Sequence, residues 1–578
     1  MPNYFTDNKD MQFVIDNLDL AEIIQMREND FKNAEKCLYA PENIQDAMDN
    51  YNRVLTEIGK LCAEKIEPRA RTIDEEGPDF KDGVVTYHPL TRDNLNDLKN
   101  AGVMGVMLPH QYGGLNFPNT IYTMMTEMVS RADGSLQNLF GLQDISETIY
   151  EFGSPEQKNR YLPGFASGEY DGSMDLTEPD SGSDLQSVRL KATQDPKTGQ
   201  WYLNGMKRFI TNGCAHVHLV LARTEEGSTD GRGLSMFICE KCPELVVRRI
   251  EHKHGIHGVA TCELQYNNVP AELCGLRKRG LTKYVMSLMN GARIAISGQA
   301  LGIAEAAYFE AKKYAAEREQ FKQSIDKFPA VYDMLASMKV KIIAARTLLY
   351  ETTKIVDLKG CYTQKIESMN IADVSKDDKD KLKKYTKLAS ILTPMSKAYC
   401  TEIGNQVCYD GLQIHGGTGY MHDFNAERFS RDVRITNIYE GTTQLQIVAA
   451  VGGVIQRVLD PVIEKLADAK QHGVLARLSN KLNDMHAKFK EAVAYVKDRK
   501  DPEYQNLMAR SLVEMETIIF IGYLMVRDAS KDPSREPIAE IFIFNNITAF
   551  EAALLRVNCD SADNSNVVID KHKEVIEY

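Results

Sequence analysis

One block of the sequence constrains the fold more than any other, because it changes character from the residues on either side of it. From residue 170 to residue 280 the segments are short, rich in β-branched and aromatic residues, and separated by turn residues; examples are "GQWYLNGMKRFITNG", "VHLVLART" and "LSMFICEK". Short segments of this composition between turn signals are typical of strands joined by tight turns. The block predicts a central antiparallel β domain.

Helical periodicity flanks this block on both sides. "IQDAMDNYNRVLTEIGKLCAEKI" precedes it and "MNGARIAISGQALGIAEAAYFEAKKYAAEREQF" follows it, each with apolar residues three to four positions apart. A chain of 578 residues is longer than one hydrophobic core supports. The predicted parts are an N-terminal extension (1–42), an N-terminal helical domain (43–169), the β domain (170–280), a second helical domain (281–459) and an additional helical domain (460–578).

Composition excludes some partners. The net charge of −12 argues against a nucleic-acid backbone or an anionic membrane surface as the main partner. The longest apolar run, Ile518 to Val526, is too short to span a bilayer, and the N-terminus has neither signal-peptide nor transit-peptide character. We therefore expect a cytoplasmic protein with no transmembrane segment. Cys239 and Cys242 lack a second pair at zinc-site spacing, so no metal site is expected.

A lone acid, Glu440, stands between an aromatic residue and a glycine in "RDVRITNIYEGTTQLQ". Gly441 indicates a turn, and Thr442 or Thr443 is suited to cap the helix that follows. A plain loop explains these residues, and so does a site that needs one carboxylate. The local pattern leaves both interpretations open.

Five motifs occur in a fixed order around this domain pattern. They are "DGSMDLTEPDSGSDL", "MKRFITNG", "AAEREQF", "GLQIHGGTGYM" and "RDVRITNIYEGTTQLQ". Together they resemble the acyl-CoA dehydrogenase family over residues 45 to 460. The strings "HKHGIHG" and "LTPMSKAY" and the C-terminal helical extension resemble most the long bacterial branch that includes 3-methylmercaptopropionyl-CoA dehydrogenases.

The resemblance implies an α+β multidomain fold with an N-terminal α-helical domain, a central antiparallel β domain, a C-terminal domain of the four-helix-bundle type, and an extra C-terminal helical domain. It implies FAD as cofactor and α,β-dehydrogenation of an acyl-CoA thioester to the trans-2-enoyl-CoA, as in β-oxidation of fatty acids. It also implies an electron-transfer flavoprotein as electron acceptor and a homo-oligomer, either a dimer or a dimer of dimers. An acyl-CoA oxidase that uses oxygen, and a non-catalytic scaffold protein on the same fold, remain alternatives.

The resemblance assigns the catalytic base to Glu440, which would take the α proton while flavin N5 accepts the β hydride. The chemistry explains the need for one carboxylate, because a C–H bond beside a thioester is a weak acid and requires a desolvated base. Some relatives carry the base on the helix through "MNGARIAISG", where this chain has Ala292. For substrate binding the resemblance indicates Ser183, Arg293, Tyr439 and Gly441.

The resemblance also assigns residues to FAD. Arg318 is suited to a diphosphate because its planar fork makes paired hydrogen bonds. Phe209 and Thr211 would share one face of a strand, since strand side chains alternate, and would flank the flavin ring. The complete predicted set is Met174, Leu176, Thr177, Gly182, Ser183, Phe209, Thr211, Arg318, Phe321, Gln413, Gly416, Gly417, Thr442 and Gln444.

Overall fold

A computed structural model describes residues 2–558 and 567–577 of the chain. It divides into two compact units. The first unit comprises Met1–Ala307 and Gly416–Glu440, and the second unit comprises Tyr308–His415 and Gly441–Tyr578. Each unit is described by itself.

The first part of the chain is helical, as the periodicity predicts. Side-chain caps begin some of these helices; α9, for example, starts with a capping box in which Ser154 and Gln157 satisfy each other's backbone N–H groups. A two-stranded hairpin interrupts the helices. The elements are α1 (Lys9–Asn17), α2 (Ala21–Arg27), α3 (Ile44–Leu61), α4 (Glu67–Glu76), β1 (Asp79–Lys81), β2 (Val84–Thr86), α5 (Pro89–Asn100), α6 (Asn119–Ala132), α7 (Gly134–Phe140), α8 (Asp144–Phe152) and α9 (Pro155–Ser167).

A seven-stranded sheet follows, where the block of short β-type segments predicts it. The strands are β3 (Gly172–Asp175), β4 (Lys191–Gln194), β5 (Trp201–Thr211), β6 (Val217–Arg223), β7 (Leu234–Glu240), β8 (Leu245–Ile250) and β9 (Thr261–Cys274). They lie in the order β3, β6, β4, β5, β9 and β7, with β8 beside β9 and a further pairing of β6 with β7. Most pairs are antiparallel, and β6 pairs in parallel with β3 and with β4. Leu203, Val220, Phe237 and Leu264 contribute to its core.

Long helices resume after the sheet, with one short hairpin between them. The elements are α10 (Met286–Glu317), β10 (Glu319–Gln320), β11 (Gln323–Ser324), α11 (Pro329–Glu367), α12 (Lys376–His415), α13 (Ala426–Val433) and α14 (Thr443–Ile455). In the second unit α11, α12 and α14 share one hydrophobic core, to which Ala344, Leu392 and Val451 contribute.

The C-terminal helices extend that core. They are α15 (Asp460–Ala467), α16 (Gly473–Arg499), α17 (Pro502–Lys531), α18 (Glu536–Asn558) and α19 (Val567–Glu577). The long apolar helix α17 is the centre of this part, because Leu512, Phe520 and Leu524 on it are each at most 1% exposed. The predicted order of helices, β domain, helices and an additional helical part is confirmed.

Two segments among the described residues pass a length-and-composition test for a membrane span. Pro533–Asn558 passes alone, although only 22% of its apolar window is buried, and Thr443–Ile455 passes together with Asp460–Ala467 despite a 69° bend. Both segments qualify by length and composition only. The expectation of no transmembrane segment therefore stays a prediction.

Candidate active site

Glu440 lies in a tight turn between α13 and α14, as its neighbours in the sequence predict. Its backbone φ is +53°, and that of Gly441 is +90°. A left-handed conformation is uncommon for a residue with a Cβ and costs about 1–3 kcal/mol, so the surrounding structure must hold it. The predicted cap is also present, because the Thr442 side chain accepts a hydrogen bond from the Leu445 backbone N–H at 3.4 Å. The carboxylate therefore sits on a strained backbone.

A buried lysine holds the carbonyl that follows this acid. Lys397 Nζ donates to the Gly441 carbonyl oxygen at 2.8 Å, and Gln446 Nε2 donates to the same oxygen at 2.9 Å. Lys397 is 0% exposed, and charged groups are buried to this extent only with partners. The sequence analysis missed Lys397; the available signal was a lysine inside the apolar helical string "LTPMSKAY".

Tyr439 is fixed by two amide side chains. Its hydroxyl forms hydrogen bonds with Gln299 Oε1 and, at 3.1 Å, with Asn138 Oδ1. Gln299 Nε2 in turn donates to the Gly134 carbonyl oxygen at 2.9 Å and to Asn138 Oδ1 at 3.2 Å. Burial, more than any neighbouring charge, raises the pKa of Tyr439 well above its ordinary value. This network keeps the ring beside Glu440 protonated and in one position.

Arg293 brings a positive charge near Glu440. The side chain is 9% exposed, and its Nη1 donates to Asn290 Oδ1 at 3.0 Å. Burial lowers the pKa of Arg293, and the negative charge of Glu440 opposes that change. Among the described residues its Nε has no hydrogen-bonding partner. A buried cation with a spare donor can stabilise a carboxylate or bind an acceptor on a ligand.

A second carboxyl group shares this region. Asp144, at the start of α8, is 8% exposed. Its pKa lies well above the ordinary value because of burial first, and then because of the negative charges of Glu147 and Glu440. The sequence analysis did not select Asp144; a single acid in the string "FGLQDIS" was the only signal for it.

The segment "LTEPDSGSDL" folds into a turn tied to β5. Glu178 and Ser181 exchange backbone hydrogen bonds at 3.1 Å, which brings Gly182 to Thr177. A Cβ added at Gly182 would meet only the Thr177 Cγ2, at 3.9 Å, so the backbone there is open to a ligand. The Arg208 N–H donates to the Thr177 carbonyl oxygen at 2.9 Å and anchors the turn to the strand. Along this segment Leu176 is buried, Met174 and Thr177 are half-buried, and Ser183 is exposed.

The structure corrects one step in the sequence argument about Phe209 and Thr211. The pairing of β5 with β9 shifts register between Lys207 and Ile210, which inserts an extra residue, and Phe209 has a φ of +62°. A bulge of this kind breaks the strict alternation of side chains, so the common face cannot be derived from a two-residue period. The Phe209 ring is 51% exposed.

Arg318 and Phe321 lie on a hairpin of the second unit. The predicted helix through "AAEREQF" ends earlier, at Glu317, and β10 and β11 follow it. Phe321 has a φ of +51° at the hairpin turn, and its ring is 89% exposed. In the same unit Gln413 near the end of α12 and Gln444 at the start of α14 are also exposed. These four side chains are available to a ligand or to another chain.

Gly416 and Gly417 form the start of a 3₁₀ turn, Gly416–Tyr420, in the first unit. Gly416 has a φ of +60°, which favours glycine. A Cβ added at either glycine would meet nothing within 4 Å. The backbone N–H groups of this turn are therefore open to close approach.

Within the first unit the structure brings Arg293, Tyr439 and Glu440 together and adds Asp144, Asn138 and Gln299 to them. It separately joins the Thr177–Ser183 turn to the bulge at Phe209. Of the other predicted residues, Met174, Leu176, Thr211, Gly416 and Gly417 belong to the first unit, and Arg318, Phe321, Gln413, Gly441, Thr442 and Gln444 belong to the second unit.

Comparison with known proteins identifies the family to which this chain belongs. Family models match the N-terminal domain of acyl-CoA dehydrogenases at residues 49–169, the middle domain at 173–269, the C-terminal domain at 279–451, and a further acyl-CoA dehydrogenase C-terminal model at 460–547. The 3-methylmercaptopropionyl-CoA dehydrogenase of Ruegeria pomeroyi is 31% identical over 443 residues, which cover 71% of this chain and 71% of that protein.

Two solved structures extend the comparison. The first belongs to work on the electron transferring flavoprotein of Acidaminococcus fermentans. It is 31% identical to this chain with a TM-score of 0.60, and the match covers 70% of this chain and 97% of that chain. The FAD complex of an acyl-CoA dehydrogenase from Bacillus anthracis has a TM-score of 0.76 at 22% identity, covers 90% of this chain and 89% of that chain, and supports the fold alone. The predicted family and fold class are confirmed: this chain belongs to the acyl-CoA dehydrogenase family, whose members are oxidoreductases acting on CH–CH groups.

Proposed function

We propose that this protein is an FAD-dependent dehydrogenase that converts an acyl-CoA thioester to the trans-2-enoyl-CoA, with Glu440 as the base that removes the α proton. The observation that carries the proposal is Glu440 itself: a carboxylate on a strained backbone, next to the buried cation Arg293, in a chain of this family. Strained residues cluster at functional sites because their surroundings over-determine them.

The chain's own residues account for proton removal. Glu440 accepts the α proton, and its backbone N–H polarises the thioester carbonyl so that the α carbon becomes more acidic. Arg293 stabilises the ionised form of Glu440 and assists substrate binding. Tyr439, held by Asn138 and Gln299, keeps one position beside the base. Gly441 and Ser183 complete the proposed substrate contacts.

The residues that we assign to FAD fit such a group. Gly182, Gly416 and Gly417 leave open backbone where a Cβ would otherwise stand, as close approach to a dinucleotide requires. Phe209 and Phe321 present aromatic rings that are 51% and 89% exposed, which is unusual for phenylalanine. Arg318 offers a planar fork for a diphosphate. When bound, FAD supplies the acceptor for the hydride that leaves the β carbon.

Three further features belong to this proposal. An electron-transfer flavoprotein takes the electrons, which the likeness to the Acidaminococcus fermentans structure supports. Copies of the chain associate, because Arg318 and Phe321 resemble the arginine and phenylalanine that, in this family, reach the FAD of a neighbouring subunit. The protein works in the cytoplasm. Use of oxygen instead of a flavoprotein acceptor, or a scaffold role without catalysis, are the competing outcomes.

Anaerobic flavin bleaching tests the proposal. The purified protein is titrated with a panel of short, branched, sulfur-containing and long acyl-CoA thioesters while its visible spectrum is recorded. We expect a yellow protein whose absorbance bleaches with one class of acyl-CoA and returns on addition of electron-transfer flavoprotein. A colourless protein would favour the scaffold alternative, and rapid return of the colour with oxygen alone would favour the oxidase.

A further inference from the structure

A buried lysine ties the start of the Thr177–Ser183 turn to strand β5. Lys207 on β5 is 0% exposed, and its Nζ donates to the Leu176 carbonyl oxygen at 2.8 Å and to Glu178 Oε1 at 3.0 Å. Burial lowers the pKa of Lys207, and the negative charge of Glu178 opposes that change. An ammonium group is buried to this extent only when it has partners. Its positive charge stands against one peptide group, the one that joins Leu176 to Thr177.

The carboxylate partner of this lysine is also held by the backbone. Glu178 is 7% exposed, and it accepts the Arg189 N–H at 2.7 Å and the Leu190 N–H at 2.9 Å in addition to the lysine. These two donors keep the carboxylate hydrogen-bonded when the lysine is replaced. Replacing Lys207 therefore removes the charge beside the Leu176 carbonyl while Glu178 stays tied to its backbone donors.

Lys207 stands behind a backbone donor that points away from it. The peptide between Leu176 and Thr177 is trans, so its C=O and its N–H point in opposite directions. Among the described residues, none accepts a hydrogen bond from the Thr177 N–H. A cation bound to the C=O end of a peptide polarises it and makes its N–H a stronger donor. The turn thus offers a strengthened donor to a ligand.

This donor lies in the part of the chain that we assign to FAD. The Thr177 carbonyl oxygen accepts the Arg208 N–H at 2.9 Å, and the next residue of β5 is Phe209, which we assign to the flavin ring. Reduction adds negative charge to that ring, and charges and hydrogen-bond donors near its nitrogens tune the reduction. A polarised donor stabilises the reduced ring more than the oxidised ring, because the reduced ring carries more negative charge.

We propose that Lys207 is a positioning residue that raises the reduction potential of bound FAD. It does so by polarising the Leu176–Thr177 peptide, whose N–H donates to the flavin ring. Glu178 limits the effect because its negative charge partly neutralises the lysine. The two residues therefore act on the flavin in opposite directions, although they form one ion pair. The inference rests on the proposed function, since it requires FAD at this turn.

A purely structural ion pair is the competing interpretation. Removing either partner of a buried ion pair destabilises a protein, because the other charge is left without compensation. In that case replacing Lys207 and replacing Glu178 would both lower the melting temperature, and the flavin potential would not move in opposite directions. The sign of the potential shift distinguishes the two interpretations, whereas loss of stability does not.

The reduction potential of the flavin in the full-length holoprotein tests the inference. Wild type, Lys207→Met and Glu178→Gln are reduced anaerobically in equilibrium with a redox dye of known potential, at pH 6, which favours the charged lysine. We expect K207M to favour reduced flavin about tenfold less than the wild type, a shift of about 30 mV to more negative potential for a two-electron couple. E178Q should shift the potential in the opposite direction, to a more positive value.

Arg27→Met is the matched control. Arg27 is a half-buried cation that also donates to backbone carbonyls, those of Asn116 at 2.9 Å and Met107 at 3.0 Å, but it lies on α2, where we assign no residue to FAD. R27M should leave the flavin potential unchanged even where it lowers the melting temperature.

The outcomes separate this inference from the proposed function. Unmoved potentials in K207M and E178Q, or shifts of the same sign in both, would overturn the inference alone. If K207M does not fold or does not retain flavin, the sign of the shift in E178Q decides. Wild-type protein without flavin would overturn the proposed function together with the inference.

Discussion

Two glutamates of this chain stand in opposite surroundings, and the difference shows what a catalytic base requires. Glu440 is half-buried, on a turn with a φ of +53°, near the cation Arg293. Glu516 is 0% exposed in the middle of α17, and among the described residues neither of its carboxylate oxygens has a hydrogen-bonding partner. Burial, followed by the negative charge of Asp460, raises the pKa of Glu516 well above its ordinary value.

The comparison separates burial from reactivity. Glu516 is desolvated more completely than Glu440, yet packed core side chains surround it and no substrate has access to it. Glu440 combines partial burial with a strained backbone, a nearby positive charge and an accessible position. A carboxyl group with a shifted pKa is therefore a candidate base only when a substrate can reach it.

The largest effect on kcat should come from replacing Glu440, with Glu516 replaced separately for comparison. Glu440→Gln should lower kcat by about 10²- to 10⁴-fold, the usual contribution of a general base. Glu516→Gln, the matched control, should leave kcat unchanged because Glu516 contacts no substrate. Steady-state assays with the acyl-CoA that bleaches the flavin, together with flavin content and melting temperature, make the comparison. Equal losses from both substitutions would mean that the activity loss reflects folding.

Removing the cation near the base should give the next largest effect. Arg293→Gln should raise the apparent pKa of the base by about one to three units, because a nearby positive charge favours the carboxylate. Activity should then fall most at pH values below the shifted pKa, and the acidic limb of the pH profile of kcat/KM should move to higher pH. Arg293→Lys should restore part of the shift. An unmoved limb would show that Arg293 does not act on Glu440.

Replacing Glu516 should change the stability of the protein and not its catalytic rate. Its raised pKa means that the folded state prefers the protonated form, so its contribution to stability is fully present below about pH 4.3 and is lost as the pH rises. Glu516→Leu should therefore stabilise the protein near pH 8 by about 1–3 kcal/mol and flatten the dependence of stability on pH. Urea unfolding at pH 5 and pH 8 measures the free energy of unfolding and its dependence on pH. Glu503→Leu, at a 61% exposed site on the same helix, is the control and should do neither.

The helix cap beside the base should give the smallest effect. Thr442→Ala removes the hydroxyl that accepts the Leu445 N–H, and should cost about 1 kcal/mol of stability. Thr442→Ser keeps that hydroxyl and should cost little. Thermal unfolding of both variants distinguishes capping from lost side-chain packing, because only the alanine variant should lose stability if the cap matters.

The sequence predicted the order of helices, sheet and helices, because short β-branched and aromatic segments between turn residues differ clearly from long segments with a period of three to four residues. It also predicted the turn at Glu440 and the cap at Thr442, both of which depend on adjacent residues. It did not predict the bulge at Phe209, since regular alternation of side chains does not indicate where a strand departs from it. It did not predict the positive φ at Glu440 either.

The sequence pattern did not predict contacts between distant parts of the chain. Lys397 on Gly441, and Asp144, Asn138 and Gln299 around Tyr439 and Glu440, are brought together only by tertiary folding. No local period connects such residues. The roles assigned to individual site residues, the predicted domain limits and the cytoplasmic location stay predictions.

The most direct test of the central claim is exchange of the α hydrogen with solvent. Wild-type protein and Glu440→Gln, both loaded with FAD, are incubated anaerobically in D₂O with an acyl-CoA that bleaches the flavin, and the recovered thioester is analysed by mass spectrometry. We expect deuterium at the α carbon with the wild type and none above background with Glu440→Gln. Exchange by the variant at the wild-type rate would contradict the assignment of Glu440 as the base.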